Sequence, residues 1–543
     1  MMKLLTLASL LPFLGSSVLG CDDHAHAHDH AHEKRAIPSV QLAPPTRPLD
    51  WSDINIIHTT DSHGWLLGHQ KTSFPEPNYS GDLGDFASFV SHMKQIALEK
   101  DVDLLLVDSG DLHDGTGLSD GFPPGGVDAH ESNKFLAKLP YDIMAIGNHE
   151  LYIYNNTLDM YKNFAPHLNG RYLSSNVNIT VPDKHGVNQS VPVGSRFAKF
   201  KTRKGRKVTS VGVLYDFTDN DEGTTVQKVS DMVKEQWFAE AIEEEPDFFL
   251  LVGHMPVQRD DWPLVFNAVR AVHPTTPILI LGGHTHIRDC VQLDGRSMSL
   301  ESGRYMETVG FLSAKLDQKG SKKNLTFSRR YLDPNRVTYE FHAQTKSFNF
   351  DTALGESITK GLNQLAVTFD LNMTFGTAPN DFTISRSPFP SNTSLLTLYA
   401  AEKRAVQEEL ERREKEAYGR GYVDKVYREW LREMNGRWGV ERRAAQNLTL
   451  GYVTQDACPG IGDDILHAPL PFFSTPDFIA SNAPNVTDDT PIDLVFVDFI
   501  EDQLLGILNA VQTNQTFTEA DVQSYTDVLA SAVLGLFAEK AWN

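Results

Sequence analysis

The sequence predicts an α/β fold in which helices cover a largely buried sheet. Short apolar runs recur from Trp51 onward, and helix-like stretches separate several of them. Such alternation of strand and helix is typical of layered α/β domains. The predicted strands are Ile54–Ile57, Leu104–Val107, Ile143–Ile146, Phe248–Val252 and Ile278–Leu281, and the predicted helices between them are Asp85–Glu99, Glu131–Lys138 and Trp262–Val272.

The length and the changes in composition predict a leader and two domains, because 543 residues exceed one ordinary domain. A highly charged, helix-like segment runs from Leu396 to Gln446, and Ile492–Ile500 is typical of a buried strand before a helix. The predicted divisions are a signal peptide in 1–20, a His/Pro-rich leader and linker in 21–50, a first α/β domain in 51–339, and a second domain in 340–543.

The N-terminus is typical of a secretory signal peptide, since Lys3 precedes a short apolar run and small residues stand before Cys21. Ten Asn-x-Ser/Thr sequons agree with a secretory route and predict a glycoprotein, extracellular or vacuolar. No later stretch of the sequence is long and apolar enough to predict a membrane span. A cut after Arg35 would remove Cys21 and leave Cys290 and Cys458, which either form a disulfide or remain free thiols.

The formal net charge of -22 at pH 7 argues against a nucleic-acid partner, because phosphate backbones require a basic surface. This acidic balance does not exclude a small phosphorylated substrate, since bound metal ions reverse the sign of the field locally. Composition therefore leaves small-molecule chemistry open, and it predicts no particular oligomeric state.

Polar motifs stand at the carboxyl ends of the predicted strands, and we expect them to meet at one edge of one sheet, where the active sites of such folds lie. Singly, each has a simpler explanation, such as a helix cap or a satisfied polar residue. Together they supply carboxylate, amide and imidazole donors, which suit divalent Zn, Mn, Fe or Co. Because the donors exceed what one tetrahedral ion needs, the sequence predicts two divalent ions that share an aspartate. The motifs are Asp61-Ser62-His63, Gly110–Asp114, Gly147–Glu150, Gly253-His254 and Gly282–His286.

These motifs, D-x-H, G-D-x-x, G-N-H-E, G-H and G-H-x-H, resemble those of the calcineurin-like metallophosphoesterases. IIHTTDSHG and Glu301–Gly310 (ESGRYMETVG) are similar to the 5'-nucleotidase branch, in its fungal secreted or vacuolar type, and the resemblance covers residues 52–315. It implies a four-layer α/β/β/α sandwich followed by a C-terminal α/β domain of the 5'-nucleotidase type. It also implies a metal-dependent phosphoric ester hydrolase that cleaves phosphomonoesters, nucleotides in particular, by attack of a metal-bridging hydroxide.

The resemblance also assigns roles to individual residues. His149, beside the metal ligands but not one of them, would stabilise the developing negative charge and protonate the leaving oxygen. Glu150 is expected to be a structural support. The ligands implied for one ion are Asp61, His63, Asp111 and His286, and those implied for the other are Asp111, Asn148, His254 and His284.

One position departs from the nucleotidase pattern. Where that branch has an aspartate that orients the catalytic histidine, this sequence has Tyr152. Asp114, three residues after Asp111, instead matches an aspartate of the protein-phosphatase branch. Our hypothesis is that Asp114 holds His149, because an imidazole needs a partner to fix its tautomer. The alternative is that Asp114 only caps a turn before Gly115.

The second domain departs further, so residues that bind substrate stay unassigned. Leu365–Phe382 is similar to the entry of the family's C-terminal domain, but the expected N-x-G-G-[IL]-R motif is replaced near Asp493–Val497 by DLVFVDFIEDQ. Phe472 and Phe473 would stack on a base or belong to the core. Two alternatives therefore remain: a phosphatase or phosphodiesterase for another small phosphoester, and a metal-binding protein without catalysis.

Overall fold

The computed structural model describes residues 40–122, 125–258, 261–374, 376–398, 454, 456–468, 470–471, 473, 501–511, 516–522 and 538. Its strands are β1 Ile54–Thr59, β2 Asp103–Asp108, β3 Ile143–Ala145, β4 Tyr172–Leu173, β5 Val177–Pro182, β6 Asn188–Pro192, β7 Phe197–Lys201, β8 Lys207–Leu214, β9 Thr224–Val226, β10 Phe248–His254, β11 Ile278–Gly282, β12 Arg288–Val291, β13 Ser297–Ser302, β14 Val309–Lys315 and β15 Thr326–Leu332. The α-helices are α1 Leu83–Glu99, α2 Gly117–Asp120, α3 Asn133–Leu136, α4 Tyr154–Asp159, α5 Val229–Met232, α6 Gln236–Glu243, α7 Trp262–Val272, α8 Arg336–Ala343, α9 Ala353–Thr368 and α10 Glu501–Val511.

Two six-stranded sheets form the centre of the fold. The first has the order β15-β14-β1-β2-β3-β4, and the second has the order β12-β13-β11-β10-β8-β7. A smaller sheet, β6-β5-β9, lies beside them. The strands that precede the polar motifs run parallel to their neighbours, β1 with β2 and β10 with β11, so their carboxyl ends point the same way within each sheet.

Alternate side chains along each central strand separate the core between the sheets from the layers beneath the helices. In β2, Leu105 joins the core between the sheets, whereas Leu106 packs with α1 and α9. In β10, Leu250 joins the same central core, whereas Leu251 packs with α6 and α7. Because successive strand side chains point to opposite faces, the layers are helix, sheet, sheet and helix. This is the α/β/β/α sandwich that the family resemblance implies.

The sequence determines where helix α1 begins and how closely it packs against α9. Asp82 accepts a hydrogen bond from the backbone N–H of Asp85, whose carboxylate accepts one from the backbone N–H of Asp82, which forms a capping box. Gly84 on α1 and Gly355 on α9 allow the helices to touch, since a Cβ at Gly84 would lie 2.3 Å from the Gly355 carbonyl oxygen. The crossing therefore requires a glycine at this position.

Two expectations from the sequence are wrong. The motif-bearing strands belong to two sheets rather than one, because strands buried on both faces are uniformly apolar and the sequence does not reveal which of them pair. The helix expected over Glu131–Lys138 is only the single turn Asn133–Leu136. Its first residue has no side-chain cap from Ser132, and Pro140 follows closely. The other predicted strands and helices of residues 51–339 are present.

Several predicted features lie outside the described residues: the leader as far as residue 39, most of Leu396–Gln446, and Ile492–Ile500. Within the part of the chain that the structure describes, no helix has the length and apolar character needed to cross a bilayer.

A C-terminal segment, residues 456–468, is fastened to the second sheet. Cys458 forms a disulfide with Cys290 on β12, so of the two possibilities for these thiols the bonded one is present. The fully buried guanidinium of Arg288 makes ion pairs with Asp333 and Asp463. Covalent and ionic contacts thus join this late segment to the sheet that carries two of the five polar motifs.

Candidate metal centre

The seven predicted ligands converge where the carboxyl ends of the two sheets meet. Asp61, His63, Asp111 and Asn148 follow strands of the first sheet, and the other three ligands end β10 or follow β11 in the second. Left-handed backbone at non-glycine residues costs on the order of 1–3 kcal/mol each and collects at functional sites. The ligands with left-handed φ angles are Asp61 (51°), His63 (45°), Asp111 (60°), His284 (83°) and His286 (62°).

The ligands form two groups that Asp111 links. In the first, His286 Nε2 lies 3.1 Å from Asp61 Oδ1 and 3.2 Å from His63 Nε2. In the second, His254 Nε2 lies 2.8 Å from Asp111 Oδ2, and His284 offers a nitrogen within 4.8 Å of both. His63 Nε2 is 3.7 Å from the same Asp111 oxygen. One carboxylate therefore faces both groups, as a shared ligand would.

The donors are arranged as divalent ions require. Within the described chain, the buried Oδ1 of Asn148 has no hydrogen-bond partner, while its Nδ2 donates to the Tyr152 hydroxyl at 3.2 Å. His63 Nδ1 donates to the carbonyl of His113 at 2.8 Å, and His254 Nδ1 donates to the carbonyl of Ser109 at 2.9 Å. These contacts direct the Asn148 amide oxygen and the Nε2 atoms of His63 and His254 toward the centre, where a metal would bind them.

The charges of the centre favour cations. Burial opposes the ionised form of Asp111, but the imidazoles of His254, His149 and His63 outweigh it and hold the carboxyl pKa well below its usual range. Burial also opposes the charged form of His254, yet the Asp111 and Asp61 carboxylates raise its pKa to about 10. These buried carboxylates thus require positive charge nearby, which divalent ions would supply.

His149 stands beside the two groups with its ring held by an acid. Its Nδ1 donates to Asp114 Oδ2 at 2.8 Å, and its backbone N–H donates to Asp111 Oδ1 at 3.0 Å. Its Nε2 lies 3.9 Å from Asp111 Oδ2, so the ring faces the shared carboxylate. Burial lowers the pKa of His149, but the contact with Asp114 and the charge of Asp111 raise it overall. The contact expected between Asp114 and His149 is therefore present.

The loop that carries Asp114 is held by other residues. Asp120 accepts hydrogen bonds from the backbone N–H groups of Asp114 and Gly115, at 3.0 and 2.9 Å. The second oxygen of Asp114 accepts from Nδ1 of the fully buried His113 at 3.0 Å. The two oxygens of Asp114 thus contact two histidine side chains, whereas Asp120 caps the turn. Sequence reasoning passed over His113, because nothing in GDLHD distinguishes it from a solvated histidine.

Tyr152 and Glu150 support the ligands in different ways. The Tyr152 ring packs edge-on against His149, with centroids 5.0 Å apart, while its hydroxyl accepts from Asn148. Glu150 is fully buried, and its carboxylate accepts from the backbone N–H groups of Asp111, Leu112 and Gly147. Glu150 therefore ties the loop after β2 to the loop after β3, in agreement with its expected structural role.

The rim of the centre contains residues that the motifs did not identify. Arg304 NH1 lies 3.5 Å from His286 Nδ1, and the guanidinium covers the Tyr305 ring at 4.5 Å from its centroid. Trp65 stacks on Tyr305, and Tyr215 packs on His284 with centroids 4.3 Å apart. The resemblance of ESGRYMETVG to the family was the one sequence signal for Arg304 and Tyr305.

The aromatic pair considered for base stacking is only partly described. Phe472 lies outside the described residues, and Phe473 is exposed, with its backbone N–H donating to the Ser385 carbonyl. Their role stays a prediction.

Comparisons with known proteins agree with this architecture. The sequence model of the calcineurin-like phosphoesterase family matches residues 54–288, and the sequence model of the NAD nucleotidase C-terminal domain matches residues 400–505. The chain is 32% identical to an uncharacterized protein of Schizosaccharomyces pombe, over 88% of this chain and 89% of that one. It is 30% identical to a protein of Arthroderma benhamiae named "Secreted protein", over 100% of this chain and 99% of that one.

A solved structure also resembles this chain over nearly its whole length. A crystal structure of a 5'-nucleotidase from Candida albicans superposes with a TM-score of 0.76 at 30% sequence identity, and the match covers 92% of this chain and 100% of that one. Both the fold and the sequence are therefore shared over nearly the whole length. The chain belongs to the calcineurin-like phosphoesterases, a family of metal-dependent phosphoester hydrolases, and within them to the 5'-nucleotidase-like branch with its nucleotidase-type C-terminal domain.

Proposed function

We propose that this chain is a secreted, dinuclear-metal phosphohydrolase that cleaves phosphomonoesters, nucleotides in particular. The observation that carries the proposal is the pair of ligand groups that share Asp111, with His149 beside them and held by Asp114 at 2.8 Å. The similar Candida albicans protein is named a 5'-nucleotidase, which makes nucleotides the first substrate class to test.

The ligand groups suggest how two ions would be held. Bound there, divalent ions would activate a water and neutralise the phosphoryl oxygens. Oδ2 of Asp111 faces both groups, 2.8 Å from His254 Nε2 and 3.7 Å from His63 Nε2, and the free Oδ1 of Asn148 would complete the second group. The residues proposed for one ion are Asp61, His63, Asp111 and His286, and those proposed for the other are Asp111, Asn148, His254 and His284.

In this proposal His149 acts on the leaving group. Because Nδ1 donates to Asp114, the proton available for transfer is on Nε2, the nitrogen that faces the centre. A proton held there neutralises negative charge on the leaving oxygen as the ester bond breaks. Asp114 fixes the orientation of the ring and stabilises its charged form, so it is a positioning residue.

Secretion is supported by three observations. The relative from Arthroderma benhamiae is named "Secreted protein". Cys290 and Cys458 form a disulfide, which is characteristic of oxidising compartments. Five sequon asparagines in the described part of the chain are exposed and accessible to glycosylation: Asn155, Asn188, Asn324, Asn372 and Asn392.

The test is a hydrolysis panel on the purified full chain, with bound metals quantified in the same sample. The panel contains nucleoside monophosphates, cyclic nucleotides, sugar phosphates and p-nitrophenyl phosphate, before and after removal of metals by a chelator. We expect hydrolysis of nucleoside monophosphates that the chelator abolishes and divalent ions restore, with two ions per chain. A preference for another ester would replace the substrate class, and full metal occupancy without hydrolysis of any ester would refute the enzyme.

A further inference from the structure

Arg304 differs from the fully buried Arg288 in how its donors are used. Arg288 places its guanidinium between the carboxylates of Asp333 and Asp463, at 2.9 and 3.0 Å. The buried Nε of Arg304 has no hydrogen-bond partner among the described residues. The carboxylate of Glu307 is 3.8 Å from that Nε, which is too far for a hydrogen bond. Within the described part of the chain, Arg304 therefore has a buried Nε donor that no acid hydrogen-bonds.

The guanidinium of Arg304 is held close to the metal centre. It stacks on the Tyr305 ring, and the backbone N–H of Tyr305 donates to the carbonyl of the ligand Asp61 at 2.7 Å. Tyr305 adopts a left-handed φ of 53°, so the turn is held in an unfavourable conformation next to the ligand loop. The side chain of Arg304 is still 31% exposed, so its open side remains accessible to a ligand.

Among the described residues, the polar contact that Arg304 makes with the centre is incompatible with His286 as a metal ligand. Arg304 NH1 approaches Nδ1 of His286 at 3.5 Å. A histidine that binds a metal through Nε2 carries its hydrogen on Nδ1, which then cannot accept a hydrogen bond. With His286 as a ligand, two N–H groups would face each other, and the guanidinium would have to turn its donors to another acceptor.

An oxyanion bound at the centre is the acceptor that fits. Guanidinium groups bind phosphoryl oxygens through paired, charge-assisted hydrogen bonds. Burial raises the pKa of Glu307 and so disfavours the charged form of this acid, although the charge of Arg304 opposes the rise. The acceptor must also lie on the His286 side of the two ligand groups, because the guanidinium contacts His286.

We infer that Arg304 binds a phosphoryl oxygen of the substrate on the His286 side of the centre and so favours dianionic phosphomonoesters over monoanionic phosphodiesters. This inference rests on the proposed function, because it concerns the same site. A dianionic monoester carries one more negative charge than a diester, and a nearby cation stabilises the bound monoester through that additional charge. Arg304 is thus a specificity residue supplied by the catalytic domain itself.

The experiment compares Arg304→Ala and Arg304→Lys with the wild-type full chain, and uses Arg203→Ala as the control. Arg203 is a half-exposed arginine whose guanidinium contacts Asp101 outside the centre. The measurements are binding of inorganic phosphate to the metal-loaded proteins by calorimetry, the ratio of kcat/KM for p-nitrophenyl phosphate and bis-p-nitrophenyl phosphate, and the metal content. Thermal unfolding of each variant verifies that it folds, and the lysine variant keeps the charge if the alanine variant does not fold.

We expect Arg304→Ala to weaken phosphate binding about 10- to 100-fold, the range of one charge-assisted hydrogen bond. The monoester-to-diester ratio should fall on the order of tenfold, since the diester does not use the additional charge. Arg304→Lys should lie between the alanine variant and the wild type, and Arg203→Ala should match the wild type. Metal content should not fall in any variant.

The outcomes separate this inference from the proposed function. Unchanged phosphate affinity and an unchanged ester ratio in Arg304→Ala would overturn the role of Arg304 while the phosphohydrolase stands. A wild-type protein that hydrolyses no ester would overturn the proposed function, and the phosphate titration would still decide whether Arg304 binds the anion. Loss of metal from Arg304→Ala would show that Arg304 supports His286 rather than the substrate.

Discussion

His149 Nδ1 donates a hydrogen bond to Asp114 Oδ2 across 2.8 Å, although the two residues follow different strands. Asp114 belongs to the loop after β2, and His149 belongs to the loop after β3. The acid that orients the ring therefore comes from a neighbouring loop, while the position of the usual acid is occupied by Tyr152, which contacts the ring only by its edge. This exchange leads to different expectations for the two residues.

Replacing Asp114 by Asn should lower kcat by on the order of 10²-fold or more, because His149 would lose the acceptor that fixes its tautomer and stabilises its charge. Turnover is measured with two phosphomonoesters, one with an alcohol and one with p-nitrophenol as leaving group, at full metal occupancy. The loss should be smaller for p-nitrophenol, which leaves without protonation.

The control for this prediction is Asp159→Asn, which removes a similar histidine contact, His130 Nδ1 to Asp159 Oδ1 at 2.9 Å, outside the centre. It should leave turnover at the wild-type level. Full activity of Asp114→Asn toward the alcohol ester, with metals bound, would contradict the positioning role.

Replacing Tyr152 by Phe should weaken metal binding rather than the chemical step. The variant removes the hydroxyl that accepts from Asn148 Nδ2, and so frees the amide whose oxygen is the proposed ligand. Loss of such an outer contact typically costs about 10- to 100-fold in metal affinity. Competition with a chelator measures that affinity, and kcat at saturating metal should stay close to wild type. A large fall in kcat at full occupancy would instead give Tyr152 the role assigned to Asp114.

Replacing Glu150 by Ala should destabilise the fold, because the backbone N–H groups of Asp111, Leu112 and Gly147 would lose their buried acceptor. Each unsatisfied buried donor costs roughly 1–3 kcal/mol, so we expect a clear fall in the midpoint of thermal unfolding. Glu150→Gln retains one acceptor oxygen and should be affected less. The exposed Glu244→Ala serves as the comparison, and equal unfolding midpoints for Glu150→Ala and Glu244→Ala would disprove the structural role.

Glycan mapping should separate the sequons by exposure. Asn188 and Asn324 are exposed and should carry glycans when the protein is made in a secretory host. Asn78 is only 5% exposed in the folded chain, and its carbonyl accepts a hydrogen bond from Asn335 Nδ2, so we expect it to stay unmodified. Mass spectrometry of peptides after enzymatic deglycosylation in oxygen-18 water identifies the occupied sites. A glycan at Asn78, or none at the exposed sites, would contradict this assignment.

The sequence by itself predicted the strands that precede the polar motifs and the side chains that gather at the candidate metal centre. Apolar patterns in the sequence predicted β1, β2, β10, β11 and the helices α1 and α7. Such patterns are local, because a buried strand or a helix with one buried face needs apolar residues at fixed spacings. The metal-ligand motifs stand out because strand ends rarely carry so many donors together. It also pointed to Asp114 as the replacement for the acid missing at Tyr152.

Only the tertiary structure decided how these pieces meet. The motifs come from two sheets packed face to face, and strand pairing depends on long-range hydrogen bonds that an apolar run does not reveal. The contacts of Arg304 with His286 and of Tyr305 with Asp61 join residues of separate loops, and His286, Tyr305 and Asp61 all have left-handed φ angles. Local periodicity records which residues are buried, whereas the site depends on distances between loops that lie far apart in the chain.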